Sequence, residues 1–275
     1  MPTPAQHHRV SPGSRVDLGA IDPARTPGLS GDGDAERARA EGELREHTQR
    51  IAAMQERLYA EGSRAMLVVL QGMDCSGKDG VIRHVFGPVN PQGCRVVSFK
   101  RPSDEELSHD FLWRVHARVP RRGEIGVFNR SHYEDVLIVR VHGTIDDREA
   151  RSRIDRIARF EEHLAASGTT VLKFFLHISK GEQRSRLLDR LREPDKRWKW
   201  NDGDLAERKS WDRYMRAYED AIAGTSLAHA PWHVIPADKK WYRNWAVASI
   251  VREALDAMDP KPPRMDLDPD SVRIE

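Results

Sequence analysis

Residues 67–80, LVVLQGMDCSGKDG, constrain the fold of this chain more than any other stretch. An apolar run at 66–70 predicts a short strand, which leads into the spacing G-x-x-x-x-G-K formed by Gly72, Gly77 and Lys78. In such a P-loop, backbone N–H groups converge on phosphate oxygens, and the following helix directs its positive end at the same place. A strand, a phosphate-binding loop and a helix in this order favour an α/β fold with a parallel sheet.

Two positions of this loop depart from the usual pattern. The Ser or Thr that binds Mg²⁺ after the lysine is replaced by Asp79, and Asp74 places an additional carboxylate inside the loop. A negative charge inside an anion-binding loop is unfavourable unless it holds a metal ion or takes part in chemistry. Cys75 lies near the N-terminus of the predicted helix, a position that lowers thiol pKa values.

The composition limits where the protein works and what it binds. The 275 residues suffice for one large α/β domain with tails, and no apolar run approaches the roughly 20 residues that span a bilayer. The first residues contain no hydrophobic signal core, and two cysteines imply no disulfide framework. The net charge is only +2. We therefore expect a cytoplasmic protein with neither a membrane nor a nucleic acid as partner.

Strand and helix patterns alternate between an arm and a tail. Residues 1–35, rich in Pro, Gly, Ser and Asp, predict an extended, partly disordered arm, and 259–275 predict a polar tail. Between them, the domain at 36–258 contains predicted strands at 66–70, 94–99, 125–128, 170–178 and 232–235. Helices are predicted at 34–60, 79–86, 104–119, 131–141, 147–167, 181–192, 204–223 and 239–258, with capping boxes at Ser103/Glu106 and Ser179/Glu182. This alternation predicts a parallel sheet flanked by helices, with ligands at the carboxyl ends of the strands.

A second polar motif, FNRSHY at 128–133, follows the third predicted strand. In P-loop proteins this position carries an acid that helps to hold Mg²⁺, but Asn129 has no charge to offer, and Glu134 is the nearby candidate. Arg130 stands directly at the strand end, where it would meet a phosphate. The alternative is that Arg130 pairs with a neighbouring carboxylate and only holds the fold.

A third feature is a dense basic stretch at 184–199, which continues past the helix-stopping Pro194. Within it, Arg186 and Arg190 are spaced i, i+4 and share one helix face. Taken alone, such a run is a solvated surface. Beside a P-loop, it predicts a lid that closes over phosphates and excludes water.

Together these motifs resemble the polyphosphate kinase 2 family, whose pattern matches the segments 72–80, 99–114, 128–142, 190–200, 211–222 and 225–244. The resemblance implies a P-loop kinase fold of the thymidylate-kinase type, with a helical lid at about 184–205. It also implies transfer of a terminal phosphoryl group from inorganic polyphosphate to AMP and/or ADP, with Mg²⁺ or Mn²⁺, by a homodimer or homotetramer. The version N-R-S-H-Y-E-D at 129–135 is similar to the branch of the family that accepts both nucleotides.

The same resemblance assigns roles to individual residues. It makes Asp74, Lys78 and Arg130 catalytic, with Asp74 as a Mg²⁺ ligand and Glu134 as a further candidate ligand. The implied nucleotide- or phosphate-binding residues are Gly72, Met73, Cys75, Ser76, Gly77, Asp79, Gly80, Asn129, His132 and Glu134. The implied polyphosphate-binding residues of the lid are Arg184, Arg186, Arg190, Lys196 and Lys199. In this scheme the P-loop cradles the accepting phosphates and the lid meets the donor.

Two other functions compete with this one. An ATP-dependent nucleoside monophosphate kinase of the thymidylate-kinase type would share the P-loop and the lid, but Asp74 and the long basic stretch favour a polyphosphate donor. A non-catalytic nucleotide- or polyphosphate-binding protein would have no use for Asp74. A guanine-reading N/T-K-x-D motif is missing from the sequence, which argues against a GTPase switch.

Overall fold

The structure is a computed structural model that describes residues 3–266 and residue 273. The remaining residues of the predicted tail, and the first two of the predicted arm, lie outside the described residues. The strands are β1 (Ala65–Gln71), β2 (Cys94–Ser98), β3 (Ile125–Asn129), β4 (Thr169–His177) and β5 (Trp232–Pro236). All five pair in parallel, which confirms the predicted strands and the predicted sheet.

The strand order, β2-β3-β1-β4-β5, explains where the site forms. The chain leaves β1, places β2 at the edge of the sheet, and then inserts β3 between them, whereas β4 lies on the other side of β1. A crevice therefore opens at the carboxyl ends of β1 and β3, where connections leave in opposite directions. Leu70 pairs with Asn129 at this end, so the P-loop and the motif after β3 emerge side by side.

Helices flank the sheet, and the longest of them form two packed pairs. The helices are α1 (Pro4–His8), α2 (Asp34–Glu61), α3 (Lys78–Val81), α4 (Asp104–Ser108), α5 (Trp113–His116), α6 (Ile138–Val141), α7 (Asp147–Ala166), α8 (Lys180–Arg192), α9 (Gly203–Lys209), α10 (Trp211–Thr225) and α11 (Lys240–Met258). Short 3₁₀ helices cover Leu18–Ala20, His132–Asp135 and Pro194–Lys199, and a π-helical turn, Ile82–Phe86, follows α3. Helix α2 packs on α11 and α7 packs on α10, while β1 and β4 are buried or nearly so along their length. Within the described residues, the helices lack a segment long and apolar enough to cross a membrane.

Two of the long predicted helices are each divided into two shorter elements. The helix predicted at 104–119 is wrong as one element: α4 and α5 are separated because Asp110 accepts a hydrogen bond from the N–H of Leu112 at 2.9 Å. The helix predicted at 131–141 is likewise divided into a tight turn and α6, because the backbone leaves the helical conformation at Val136 (φ −129°, ψ −3°) and Leu137 (φ −104°, ψ −83°).

The helix predicted at 204–223 is also two helices, α9 and α10, which meet at Ser210. The capping box predicted at Ser103 is confirmed, but the one at Ser179 is only half formed. Ser179 accepts from the N–H of Glu182, whereas the carboxylate of Glu182 turns to Arg186 instead of back to the cap. A stronger charged partner has displaced the expected backbone contact.

The arm is attached to the domain more tightly than its composition predicts. His8, Val10 and Leu18 are buried, and the ring of His8 lies 2.7 Å from the hydroxyl of Tyr242. The hydroxyl of Ser226 donates to the carbonyl of Val10 at 2.7 Å. Because these hydrogen bonds join buried groups, the described part of the arm packs against the domain.

Candidate active site

The backbone path of the P-loop depends on glycine at two positions. Gly72 and Gly77 have φ values of +147° and +104°, in the region that side chains disfavour. A Cβ atom on Gly72 would also lie 2.7 Å from the carbonyl oxygen of Leu176. Lys78 joins the end of the loop to its beginning, because its ammonium donates to the carbonyl of Gly72 at 2.7 Å.

Lys78 is buried, and this affects its charge. Burial, followed by the nearby Arg130, lowers the pKa of Lys78 from its ordinary value. Its ammonium has lost water and gained only carbonyl oxygens, so an anion at the loop would stabilise it. The geometry matches the phosphate-binding role expected from the motif.

Arg130 connects two carboxylates across the crevice. Its guanidinium contacts Asp74 at 2.6 Å and Glu134 at 3.4 Å. Burial disfavours the cation, but Glu134 and Asp74 outweigh burial and raise the pKa of Arg130. Arg130 also has a φ of +62°, a value that is unfavourable for an arginine and that requires support from the surrounding structure. The pairing anticipated as a purely structural alternative therefore exists inside the crevice itself.

Two cavities of opposite character meet at Asp74 and Arg130. The larger, which we call the basic cavity, has a volume of about 490 Å³ and is lined by the P-loop and by cations of the lid. The smaller, the acidic cavity, has a volume of about 160 Å³ and is lined by Glu134, Asp204 and Glu207. Asp74 and Arg130 line both, so they form the wall between the cavities.

The acidic cavity concentrates negative charge. Burial, and then the proximity of Asp74, raise the pKa of Asp204. Two arginines offset part of this charge: Nη1 of Arg190 in the lid lies 2.9 Å from Asp204, and Arg130 pairs with Glu134.

The predicted lid cations separate into three groups. Arg190, Lys196 and Lys199 line the basic cavity, as expected for a lid over phosphates. Arg184 is exposed and lies outside the cavity lining. Arg186 lines it, but it is buried, and its guanidinium hydrogen bonds are taken by protein oxygens of Glu182, Cys75, Ser76, Ala237 and Asp238. A guanidinium has five N–H groups, so Arg186 holds the loop and has no donor left for a substrate.

The other predicted loop residues stay near the crevice. Asn129 donates to Asp79 at 2.7 Å, which ties the end of β3 to the start of α3. Met73 is buried and lines the acidic cavity, whereas Gly80 lines the basic one. The hydroxyl of Ser76 is buried and lacks a hydrogen-bond partner among the described residues.

The expected lowering of the Cys75 thiol pKa is wrong. The thiol lines the basic cavity, yet burial raises its pKa to about 11. Desolvation outweighs the nearby cations Arg190 and Lys78, which act in the opposite direction. A neutral thiol of this kind is a poor nucleophile and a packing group of the loop.

His132, the remaining predicted ligand, does not reach the crevice. It is fully buried, and its Nε2 lies 3.2 Å from Oε1 of Glu161 in α7. The tight turn after Ser131 points the side chain into the core, where Glu161 also contacts the ammonium of Lys173 and the hydroxyl of Tyr133. The assignment of His132 to the nucleotide is therefore corrected: it belongs to a buried ionic cluster that supports the turn carrying Arg130 and Glu134.

This cluster yields a stability prediction. Replacing Glu161 with Gln leaves the buried ammonium of Lys173 without its counter-charge, so we expect a loss of about 3–5 kcal/mol in the free energy of unfolding. Urea denaturation followed by circular dichroism measures it. Glu162→Gln, at the exposed neighbouring position of α7, is the control and should change little. A loss below about 1 kcal/mol in Glu161→Gln would contradict the importance of the pair.

Several residues of the site were not predicted from the sequence. Asp204, Glu207, Tyr214 and Tyr218 line the acidic cavity, and they come from α9 and α10, whose sequence gives no sign of a ligand. Lys100, Lys240 and Arg243 line the basic cavity. Lys100 follows a strand, and Arg243 interrupts the largely apolar run of α11, so both had a detectable signal.

Comparisons with known proteins agree with this geometry. A family model described as polyphosphate kinase 2 matches residues 34–263. A relative from Meiothermus ruber, named AMP/ADP-polyphosphate phosphotransferase, is 50% identical over 268 residues, covering 98% of this chain and 99% of its own. An ADP-polyphosphate phosphotransferase from Rhodopseudomonas palustris is 48% identical over 227 residues, 78% of either chain.

A solved structure extends the likeness to three dimensions. The crystal structure of polyphosphate kinase 2 from Arthrobacter aurescens TC1 superposes with a TM-score of 0.92 at 46% identity, and the match covers 97% of this chain and 94% of that one. The parallel sheet, the P-loop and the basic lid are thus found in a chain that matches the family model over most of its length. The chain belongs to the polyphosphate kinase 2 family and has its P-loop kinase fold.

Proposed function

We propose that this protein transfers the terminal phosphoryl group of inorganic polyphosphate to AMP and to ADP, forming ADP and ATP. The observation that carries the proposal is the pair of cavities of opposite charge that share Asp74 and Arg130. A transfer between two phosphate compounds needs two neighbouring binding places with the reacting groups at their junction. The names of the relatives from Meiothermus ruber and Rhodopseudomonas palustris support the choice of substrates.

The donor fits the basic cavity. Polyphosphate carries negative charge along its whole length, and the P-loop, Lys78 and the lid cations line one continuous space. This differs from the scheme in which the loop holds the acceptor and the lid alone meets the donor. Since both basic elements line the same cavity, we assign the donor to both.

The acceptor side is formed by the acidic cavity. At about 160 Å³ it is smaller than the roughly 300 Å³ of a small-molecule pocket, so it suits the accepting phosphate and an ion rather than the whole nucleotide. Arg130, in the shared wall, would hold phosphate groups on both sides. Lys78 would offset the charge that develops during transfer, and closure of the lid would exclude water.

We assign Mg²⁺ to the junction, with Asp74 as ligand and Glu134 as a second candidate. Among the residues that the structure describes, three or more His, Cys, Asp or Glu groups do not come together closely enough to hold a metal unaided. That fits Mg²⁺, which binds through one or two carboxylates, water and substrate phosphates. Mn²⁺ prefers similar oxygen ligands and would fit the same set. The ion would supply charge stabilisation between donor and acceptor.

One assay separates this function from its competitors. The protein is incubated with polyphosphate, Mg²⁺ and either AMP or ADP, without ATP, and the nucleotide products are separated by chromatography. We expect ADP and ATP to form. Product only when ATP replaces polyphosphate would favour the nucleoside monophosphate kinase, and binding without any product would favour the non-catalytic protein.

Glu134 provides a test of acceptor choice. Its carboxylate lines the acidic cavity and repels ADP more strongly than AMP, because ADP has one phosphate more. A bound Mg²⁺ would reduce this repulsion. In Glu134→Asn we therefore expect the ratio of kcat/KM for ADP to that for AMP to rise about fivefold, equivalent to about 1 kcal/mol. Glu162→Asn, an exposed site on α7, is the control. An unchanged ratio would exclude this role of Glu134.

For the assembly and the compartment, we propose a homodimer or homotetramer that acts in the cytoplasm, with polyphosphate and adenine nucleotides as its partners. Light scattering of the purified protein measures the mass of the assembly directly, and a mass equal to a single chain would contradict this part.

A further inference from the structure

Arg243 is a buried cation at the P-loop that neither the motif nor the lid accounts for. It projects from the first turns of α11 and is only 3% exposed. Its Nη1 donates to the carbonyl of Ser76 at 3.1 Å, and its Nε and Nη2 donate to the side chain of Asn244 at 3.2 and 2.9 Å. In the part of the chain that the structure describes, an Asp or Glu partner for Arg243 is missing.

A buried charge without a counter-charge is unfavourable in a folded protein. Burial, and then the proximity of Arg186, lower the pKa of Arg243 to about 9, which reflects this poor environment. A neutral side chain could hold the Ser76 carbonyl equally well. The positive charge therefore indicates a negative partner outside the chain.

Arg186 serves as an internal comparison, because it touches the same carbonyl of Ser76. Arg186 has a carboxylate partner in Glu182, and all of its N–H donors are used. Arg243 uses three of its five donors and leaves one on each terminal nitrogen. The two arginines that support the loop thus differ in that only Arg243 retains donors for a ligand.

The P-loop is shaped to admit this guanidinium. A Cβ atom on Gly77 would lie 1.8 Å from Nη1, and one on Gly80 would lie 2.8 Å from Nη2. Both glycines therefore leave the space that the terminal nitrogens occupy. Arg243 lines the basic cavity with the exposed Lys240, one turn earlier on α11, but it does not line the acidic cavity.

We propose that Arg243 binds a phosphate group of the polyphosphate donor, at the part of the basic cavity bounded by Gly77, Gly80 and Lys240. This phosphate is not the one transferred, because transfer takes place at the wall formed by Asp74 and Arg130. Arg243 is then a determinant of donor affinity that acts away from the reacting atoms. The inference rests on the proposed function, since it takes the occupant of the basic cavity to be polyphosphate.

The test uses the full chain and direct binding, without nucleotide. Inorganic polyphosphate of defined length is titrated calorimetrically into wild type, Arg243→Met and Arg243→Lys. Arg252→Met, which removes a charge on the same helix beside Asp256, is the matched control. We expect Arg243→Met to weaken the Kd for polyphosphate about tenfold to a hundredfold, as expected for a buried hydrogen bond to a charged group. Arg243→Lys keeps the charge and should retain part of the affinity, and Arg252→Met should bind as wild type does.

Two further readouts separate binding from support of the loop. In steady-state transfer, Arg243→Met should raise the KM for polyphosphate, with kcat and the KM for ADP close to wild type. Its melting temperature without ligand should be equal or higher, because an uncompensated buried charge has been removed. A fall in kcat together with a higher KM for ADP would assign Arg243 to loop support alone and overturn the inference.

The titration distinguishes a failure of this inference from a failure of the proposed function. If wild type binds polyphosphate and Arg243→Met binds it equally well, the inference is wrong and the proposed function stands. If wild type itself does not bind polyphosphate, the proposed function is wrong and the inference falls with it.

Discussion

Replacement of Asp74 by Asn is expected to lower kcat for phosphoryl transfer by about a thousandfold or more, while the protein remains folded. Asp74 stands in the wall between the two cavities, where it meets Arg130 and is the proposed ligand of Mg²⁺. An amide keeps the size of the side chain but binds a divalent cation weakly and forms no ion pair with the guanidinium. A metal ion contributes several kcal/mol to such reactions, which corresponds to a loss of this size.

The measurement follows ATP formed from ADP and polyphosphate over a range of Mg²⁺ concentrations. A higher Mg²⁺ concentration should restore part of the rate if the carboxylate acts through the ion. Asp212→Asn, at an exposed position in the first turn of α10, is the control and should keep wild-type activity. Wild-type kcat in Asp74→Asn would refute the mechanism.

The second large effect is expected at Lys78. Lys78→Met should abolish measurable transfer, because the P-loop then lacks the ammonium group that lies over the carbonyls of Gly72 and Met73. Removing a single group that stabilises charge in the transition state lowers rates about a hundredfold to a thousandfold, and a donor as highly charged as polyphosphate should place this loss at the upper end. Lys209→Met, at an exposed position of α9, is the control.

The same substitution, Lys78→Met, should not lower the stability of the fold, although it abolishes activity. Burial lowers the pKa of Lys78, so the charged form is less stable in the folded protein than in the unfolded chain. Lys78→Met should therefore unfold at an equal or higher denaturant concentration near pH 7. As the pH rises toward about 10.4, the unfolded chain binds more protons at this site than the folded protein, and the wild type gains stability relative to the variant. Urea titrations at several pH values measure this, and a variant that is much less stable at pH 7 would contradict it.

The fold was predictable where it depends on short-range sequence patterns. The strands were recognised from apolar runs between turns and the P-loop from its glycine spacing, and the predicted strand positions and parallel pairing agree with the structure. Helix breaks were not predictable from periodicity. Breaks at Asp110 and Ser210 interrupt segments whose apolar spacing is continuous, and at Asp110 the competing hydrogen bond depends on the local backbone.

Some residues of the candidate site were likewise predictable from the sequence, and others were not. Lys78 and Arg130 could be named because they follow strands that end at one edge of the sheet. His132 was misassigned, because a tight turn of four residues decides whether a side chain faces the crevice or the core. Arg184 and Arg186 show that a basic run does not reveal which of its members face a substrate. Arg184 is solvated, whereas all N–H donors of Arg186 are taken by Glu182 and by backbone oxygens.

The sequence by itself determined the phosphate-binding loop, the parallel sheet and the kind of charge that the site would hold, because these depend on neighbours in the chain. Only the tertiary structure decided that the loop and the lid line one basic cavity, that Asp204 and Glu207 oppose it across Asp74 and Arg130, and that Arg243 reaches the loop from the last helix. These relations join residues far apart in the chain. They depend on burial and on the direction of side chains, which are set only when the strands and helices pack.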